Sequence, residues 1–472
     1  MIKSITTDVV VVGSGISGCV AAIECKKLGF DVVILEKGLF ARSGSSRMGR
    51  RFMIWTSNIE KYSRWKGGAG AGMVAYWEDP ELRSICGRII RGDSKEGWSY
   101  AAELEKLGMF FRRYPNGKIW PEPTVGLHSM KTDQAGRMIL EVLGNEVRRR
   151  GVRIFEETIA TKILTRDGRA IGIIALNIRD GSLLVISSRA TILATGATAW
   201  YPTSTVPDTL SGDGLAMALR AGAEIADICE LVWYGVYLNP NLPPKGWRFS
   251  IAAWSAKPLD WTSPKFLNKF GEDIFQKEEY RELIEEANRH GMDGKNLPIP
   301  IWLITYIVAS EIAKGRGTES GGIYVSFKHM NKDTLELMKA TWSAYDYLKK
   351  IGVDPEKDLI EISYVPHTTC GGIVVNSNFE TCIPCLFAIG GAIVNPSIAM
   401  HLCIGQAKYA SKAVANRISN VDLLTPNEDD IREEANRIFS YLNKPCNNPI
   451  PPIKVKMMIK NVLKEKCYYW KN

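Results

Sequence analysis

The stretch that decides the fold reads Asp8-Val9-Val10-Val11-Val12-Gly13-Ser14-Gly15-Ile16-Ser17-Gly18, and Asp31-Val32-Val33-Ile34-Leu35-Glu36 follows it at the end of a helical interval. Four valines before Gly13 read as a strand buried on both faces, the pattern of a parallel sheet covered by helices. Ala21, Ala22 and Leu28 suit the helix, and Gly29 suits its end. In such a strand–turn–helix Gly13 allows the tight turn, Gly15 lets the backbone approach a pyrophosphate, and Gly18 lets helix and strand pack closely. The helix start then offers amides and the positive end of its dipole to phosphates. Glu36 ends the second strand eighteen residues after Gly18, where it can accept hydrogen bonds from a ribose. A lone glycine motif is weak; strand, helix and distant acid together make a dinucleotide-binding unit.

Working outward, residues 154–193 read as three short strands joined by Arg166-Asp167-Gly168-Arg169 and Arg179-Asp180-Gly181-Ser182, with Asp-Gly turn signals at their centres. The last of them ends in Ala190-Thr191-Ile192-Leu193-Ala194-Thr195-Gly196. A Rossmann unit interrupted by a meander and closed by an Ala-Thr-Gly strand end resembles the FAD-binding flavoprotein folds. No second glycine fingerprint for a nicotinamide is present. Gly68-Ala69-Gly70-Ala71-Gly72 has no strand before it and reads as a flexible loop.

Further segments narrow the resemblance. Ala194-Thr195-Gly196, then Tyr201-Pro202, then Gly212-Asp213-Gly214 and the helix to Glu224 are similar to the flavoprotein subunits of fumarate reductase and succinate dehydrogenase. Pro366-His367-Thr368-Thr369-Cys370-Gly371-Gly372-Ile373 resembles that family's His-Tyr-Thr-Met-Gly-Gly-Ile segment, and Leu386-Phe387-Ala388-Ile389-Gly390 with an apolar helix from Ser397 resembles its return to the flavin. Ser43-Gly44-Ser45-Ser46-Arg47-Met48 resembles the flavin-side loop of soluble fumarate reductases. The match runs from Asp8 to about Ala415, and the wider superfamily includes L-aspartate oxidase and the α chain of adenylylsulfate reductase. The resemblance implies that Gly13, Gly15, Gly18, Glu36, Ser46, Ala160, Ala194, Asp213, Ser397 and Ile398 contact FAD. A helix starting near Ser397 would also aim amides at the flavin edge that gains negative charge on reduction. The family's flavin-linking His falls near Gly44, so the expectation is non-covalent FAD.

The departures fall on the substrate side. The family's His after the Gly-Asp-Gly helix is replaced by Tyr234, and its proton-donating Arg, upstream of the turn here reading Glu311-Ile312-Ala313-Lys314-Gly315-Arg316-Gly317, by Tyr306. Val394-Asn395-Pro396-Ser397 contains no Arg to clamp a dicarboxylate, and only His367 of the familiar groups persists. Losing these removes charge-assisted hydrogen bonds typically worth ~1.5–3 kcal/mol each, which argues against ordinary succinate–fumarate chemistry. Arg50-Arg51 (or Arg51-Phe52 with a one-residue shift) stands where the family has a Gly-Gly pair beside the flavin, and a cation there could hold a carboxylate, sulfite or phosphate. The candidate catalytic set is therefore His367, Arg50, Arg51, Thr369, Tyr234 and Tyr306. His401, within the returning helix, reads as a packed histidine.

Composition excludes several classes. The chain has 472 residues, 45% hydrophobic and 24% charged, ordinary for a globular protein and wrong for a disordered one. Sixty Lys plus Arg against 51 Asp plus Glu give +9, spread along the chain, which favours anionic small molecules; no concentrated basic tract with interleaved aromatics suggests nucleic acid. Ten cysteines include one close pair, Cys382-Ile383-Pro384-Cys385, read as a turn with two thiols or a local disulfide. One such pair cannot supply the four thiolates an iron–sulfur cluster usually needs, and no metal site is expected. Residues 1–7 run straight into the valine strand, so no signal peptide is expected. The longest apolar run, Ile299 to Ala309, is short of the ~20 residues of a membrane helix, so a cytoplasmic protein is expected, touching membrane only through a partner.

The expected architecture is α/β: a Rossmann-like FAD-binding domain with a β-meander, residues 1–232 and 351–416, an inserted α+β capping domain, 233–350, and a short helical tail, 417–472. The expected function is an FAD-dependent oxidoreductase in which flavin N5 exchanges a hydride or electron pair with a small anionic substrate. It leans towards an adenylylsulfate-reductase-like or uncharacterised member. The competing reading is an electron-transfer flavoprotein subunit working with an iron–sulfur partner.

Overall fold

The computed structural model describes residues 2–49, 51–55, 80–90, 95–111, 113, 115–117, 127–131, 135–199, 209–228, 231–238, 264–289, 301–330, 332, 335–336, 339, 345–394, 400–442 and 449–467. Its strands are β1 (Ile2–Val12), β2 (Val32–Leu35), β3 (Arg51–Trp55), β4 (Leu127–Lys131), β5 (Arg153–Phe155), β6 (Thr158–Arg166), β7 (Arg169–Asn177), β8 (Leu183–Leu193), β9 (Ile225–Ala226), β10 (Leu231–Tyr237), β11 (Lys265–Leu267), β12 (Ile323–Ser326), β13 (Ile360–Thr369), β14 (Gly372–Ile373) and β15 (Leu386–Ala388).

The main sheet is mixed, in the order β5, β2, β1, β8, β7, β6, with β15 pairing β8 off this path. Val9, Val10 and Val11 are fully buried in β1, as the unbroken valine run requires of a strand covered on both faces. Each such side chain stabilises the fold by about 1.5–3 kcal/mol relative to exposure. The meander forms as read: β6, β7 and β8 pair antiparallel, and Asp167 and Gly168 both take positive φ, as a two-residue hairpin turn demands. β8 then does two things along one edge. Its first half pairs β7 over Leu183–Ser187, and its last three residues pair β15 parallel over Thr191–Leu193. Its other edge runs parallel to β1 from Leu183 to Leu193.

Helix Ile16–Lys27 packs against helix Met400–Ile418 through Ala21, Ala22, Ala407 and Ala410, all fully buried. The small side chains let the backbones approach, and Ser411 Oγ donates to Ala407 O at 2.8 Å within the seam. The expected start of this returning helix at Ser397 lies outside the described residues; the described helix begins at Met400.

A second, antiparallel sheet runs in the order β10, β13, β12, β11. It has its own core, in which Tyr237, Ile323, Ile360, Ile362 and Tyr364 meet Leu303, Ile307 and Val308 of helix Ile301–Ala313. That helix carries the longest apolar run, and its 13 residues span about 20 Å, too short for a bilayer. No helix among the described residues is long and apolar enough to cross a membrane. The boundaries drawn at 232 and 351 do not follow the strand pairing. β10 begins at Leu231, and β13 hydrogen-bonds to β10 and β12 and buries Ile360 and Ile362 in the second core, so residues up to Thr369 belong with that sheet. A strand-forming run does not name its partner, so the sequence alone could not show that β13 pairs within this sheet. Beyond residue 417, helix Glu428–Phe439 lays Ile431, Ala435, Ile438 and Phe439 on Leu164, Ile174 and Leu183 of the meander, and a last helix spans Pro452–Cys467.

Candidate active site: a nucleotide cleft and a strand that faces it

The carboxyl ends of β1, β2 and β8 open into a cleft that takes in about 860 Å³, the open solvent at its mouth included. Gly13 turns the chain at its floor with φ +102°, and a Cβ there would sit 2.5 Å from Ala194 O. Gly18 lies behind, its α-carbon pressed on the turn so closely that a Cβ would be 1.9 Å from Gly13 O. The N-cap of the following helix is Gly15, which offers no side-chain cap, so the end stays open to an anion. Ser46 Oγ accepts from Ile16 N–H at 3.3 Å and fixes the loop that walls this end.

Glu36 is buried and organises the turn. Its Oε2 accepts from Ser14 N–H at 3.0 Å and Ser14 Oγ at 2.6 Å, while Oε1 accepts from Gly38 N–H at 2.8 Å. A carboxylate has about four acceptor positions, so capacity for a ribose hydroxyl is left on Oε1. Ser14 Oγ in turn accepts from Ala41 N–H at 2.9 Å, tying the loop after β2 to the glycine turn. Across the cleft Lys37 Nζ donates to Asp213 Oδ2 and Ser211 Oγ, and Ser211 Oγ donates to Asp213 Oδ2 at 2.8 Å.

Of the ten expected FAD contacts, Gly13, Gly15, Glu36, Ser46, Ala160, Ala194 and Asp213 line this one cleft. Gly18 serves packing and does not line it. Ser397 and Ile398 lie outside the described residues. Gly44, at the position of the family's flavin-linking His, also lines it and brings no side chain. Sequence reading missed Lys37, Ser211 and Thr195. The Lys37 signal was available, a cation directly after the ribose acid; Ser211 and Thr195 carry none beyond their neighbours. The residues present fit FAD: the glycine floor excludes any Cβ, and Thr195 Oγ1 is a buried polar atom on the cleft wall with no partner among the described residues.

The catalytic candidates are placed differently. His367 is 9% exposed on β13, where the pairing with β10 slips: Val232 faces Thr368 and Trp233 faces Pro366, leaving His367 as the extra residue of a bulge. Bulges re-aim a side chain and recur next to active sites. Thr369 is buried in a structural tie, its N–H donating to Thr198 O at 3.1 Å and its Oγ1 to Gly371 O at 3.2 Å. That tie joins the second sheet to the chain leaving β8. Tyr234 lies in β10 opposite Val365 and Arg51 begins β3; Arg50 falls outside the described residues, as do the side chains of Tyr234 and Arg51. Tyr306 is 50% exposed on its helix. Of the candidates whose side chains are described, His367, Thr369 and Tyr306, none lines the nucleotide cleft.

Other expectations resolve locally. His401 is fully buried, and burial pushes its imidazole down to about 4, so it is neutral and packed. Cys382 and Cys385 are both free thiols, one exposed and one buried. Burial likewise pushes the thiols of Cys19, Cys25 and Cys86 up to about 12. Among the described residues no cluster of His, Cys, Asp or Glu is arranged to hold a metal ion.

A mixed sheet with a glycine turn, a ribose acid and a meander feeding one cleft defines an FAD-binding α/β flavoprotein. The model of the FAD binding domain family matches residues 8–49 and 95–401, and the chain belongs to that family. An uncharacterized FAD-dependent oxidoreductase of Methanocaldococcus jannaschii is 28% identical over 393 residues, covering 81% of this chain and 66% of its own length. A fumarate reductase (CoM/CoB) of Methanothermobacter marburgensis, matched in one of its subunits, is 25% identical over 397 residues, with the same coverage of 81% and 66%. The chain thus spans just under two thirds of the length of these curated relatives. In fold it is similar to a quinol fumarate reductase chain of E. coli, with a TM-score of 0.75 at 21% identity, covering 98% of this chain and 79% of that one. Adenylylsulfate reductase of Archaeoglobus fulgidus gives 0.71 at 18% identity, with 98% and 79% covered.

Proposed function

We propose that this chain is an FAD-dependent oxidoreductase that binds FAD non-covalently in the nucleotide cleft and acts on a small anionic substrate other than succinate or fumarate. The observation that carries the reading is the single cleft that gathers Gly13, Gly15, Glu36, Ser46, Ala160, Ala194 and Asp213 from four separate parts of the chain. FAD, when bound, supplies a two-electron acceptor or donor. The protein's own residues do the rest. The floor at Gly13 and the open helix end at Gly15 hold a pyrophosphate, Glu36 holds a ribose, and the Lys37–Asp213–Ser211 group closes the opposite wall. The second sheet with its helices acts as a cap that excludes water from the reacting centre, and the Thr369–Thr198 bond lies at its root. His367, in the bulge, is the group we assign to move a proton; Arg51, Tyr234 and Tyr306 are assigned to the substrate side, where the arginines that would clamp a dicarboxylate are missing.

A second reading has one observation behind it: several relatives are named as subunits, among them those of the fumarate reductase (CoM/CoB) and of succinate dehydrogenases. In that reading the chain passes electrons to an iron–sulfur partner in the cytoplasm. Anaerobic absorbance of the purified protein during additions of succinate, L-aspartate, and sulfite with AMP separates the two. Bleaching of the oxidised-flavin band by an anion other than succinate is the expected result, and bleaching by succinate overturns the substrate reading. A band that yields only to dithionite favours the partner-dependent reading. Absence of flavin after reconstitution with FAD overturns both.

A further inference from the structure

The close pair Cys382 and Cys385 frames a turn that is built for glycine. Ile383-Pro384-Cys385-Leu386 closes with Leu386 N–H donating to Ile383 O at 3.1 Å, and Cys385 takes φ +65° at the third position. Proline second and a positive φ third mark a type II turn, whose third residue is normally glycine or asparagine. Thr381 N–H donates to Leu386 O at 2.9 Å and Glu380 bridges Phe387 antiparallel, so the chain doubles back. Cys382 and Cys385 stand at the two ends of the four-residue loop that these contacts close. A disulfide spans Cα atoms roughly 4.4–6.8 Å apart, the reach of residues that face each other across a hairpin.

The turn is held from outside. Ala170 N–H donates to Pro384 O at 2.9 Å, Thr191 N–H to Cys385 O at 3.0 Å and Cys385 N–H to Glu380 Oε1 at 2.7 Å. With the backbone fixed by β7 and β8, bringing the two sulfurs together orders little beyond their own side chains. The thiols meet different surroundings. Cys382 is exposed, its Sγ directed to Gly222 O at 3.6 Å, whereas Cys385 is 1% exposed. Burial pushes the Cys385 thiol up, against the pull of Arg417 and Arg169. Cys382 is thus the sulfur an outside reagent reaches, and Cys385 the one that follows from inside.

We propose that Cys382 and Cys385 form a dithiol–disulfide pair that exchanges with small disulfides, a redox site separate from the nucleotide cleft, which neither residue lines. The Cys382 thiolate attacks one sulfur of a small disulfide, whose S–S bond breaks. One small thiol leaves with the proton that Cys382 gave up, and a mixed disulfide remains on Cys382. Cys385 then gives up its proton and attacks Cys382 Sγ, and the second small thiol leaves. Two electrons pass from the pair to the small disulfide, and Cys382 releases Gly222 O. The exchange needs no flavin and holds whichever substrate the cleft serves.

The test incubates the full chain, loaded with FAD, with oxidised glutathione, quenches in acid, and reads the segment holding both cysteines by peptide mass spectrometry. Expected is a segment lighter by two hydrogens and free of glutathione, restored by dithiothreitol. Cys385→Gly suits the positive φ of the turn and keeps the fold. It should trap glutathione on Cys382 at least about tenfold more than wild type, because no second thiol displaces it. Cys382→Ser should leave Cys385 reduced. Flavin content stays unchanged in both variants. Two thiols still reduced in wild type overturn the proposal. So does a glutathione adduct as abundant in wild type as in Cys385→Gly, or a Cys385 oxidised as readily in Cys382→Ser.

Discussion

On the nucleotide side, groups from residues 13, 36, 160, 194 and 213 meet in one cleft whose floor is backbone held in place by glycine. On the second-sheet side, His367 and Thr369 share a strand and Tyr306 sits half exposed on a helix, and the recognition proposed there comes from side chains. The difference separates a site built from main chain from one proposed to be built from side chains. A backbone cradle for a pyrophosphate tolerates almost no change, because a single Cβ collides with main chain. A side-chain clamp for a small anion can be rebuilt from other residue types on the same strands, as Tyr234 and Tyr306 in place of His and Arg suggest.

The strongest way to break this contrast is Gly13→Val. Its Cβ would lie 2.5 Å from Ala194 O at a φ of +102°, so FAD affinity should fall by more than ~100-fold, beyond the ~2.7 kcal/mol that corresponds to that factor. The protein should purify colourless while the second sheet stays protected from protease. The opposite perturbation is Glu311→Ala. Glu311 is fully buried, with Arg316 Nε at 2.9 Å, Asn268 Nδ2 at 2.9 Å and Tyr280 Oη at 2.8 Å; removing it takes the acceptor from Tyr280 and Asn268 and leaves Arg316 with Glu279. A loss of about 1–3 kcal/mol in the second sheet is expected, read as earlier proteolysis there with flavin content retained.

The same carboxyl gives a pH signature. Burial pushes Glu311 up, but hydrogen bonds from Arg316, Asn268 and Tyr280 outweigh it and hold the group down at about 2. Its folded value lies below the unfolded one, so its stabilisation is complete above ordinary glutamate pH and is lost as pH falls through about 2. The difference in Tm between wild type and Glu311→Gln should therefore shrink below about pH 4.5, the unfolded value. A gap that is flat across that range would show the network is not held by this charge.

On the substrate side, His367→Gln should slow substrate-dependent flavin bleaching by ~10²-fold or more with FAD content unchanged, the size of a lost proton-transfer group. An unchanged rate would return His367 to a packing role in its bulge. The smallest effect expected is for Lys37→Met, where a partly exposed pair with Asp213 is lost: FAD should bind only a few-fold more weakly, by fluorescence titration.

Legibility followed the same division. The valine run, the glycine spacing and Glu36 announced the sheet and cleft because backbone geometry restricts those positions to few residue types. The meander was readable from Asp167-Gly168, whose positive φ values few other pairs accept. What was hidden depended on partners distant in the chain. β13 is buried along almost its whole length, and nothing in Ile360–Thr369 says that it pairs with Leu231–Tyr237 and not with the main sheet. Thr369 is expected on the substrate side from sequence, and its hydroxyl donates to Gly371 O, a local bond that sequence does not reveal. Lys37 could be read from its place beside Glu36, but its partners Ser211 and Asp213 lie 174 and 176 residues away and could not.

The seam between β8 and its neighbours also has a consequence in time. β1 begins at residue 2, its partner β8 ends at 193, β15 joins the opposite edge of β8 at 386–388, and the helix that packs on Ile16–Lys27 starts at 400. On a ribosome making roughly 5–20 residues per second, the sheet begun by β1 waits tens of seconds for its last strand. The glycine turn is therefore made well before the segments that complete it. Cofactor capture waits for those later segments, and the valine strand is the one most in need of shelter until then.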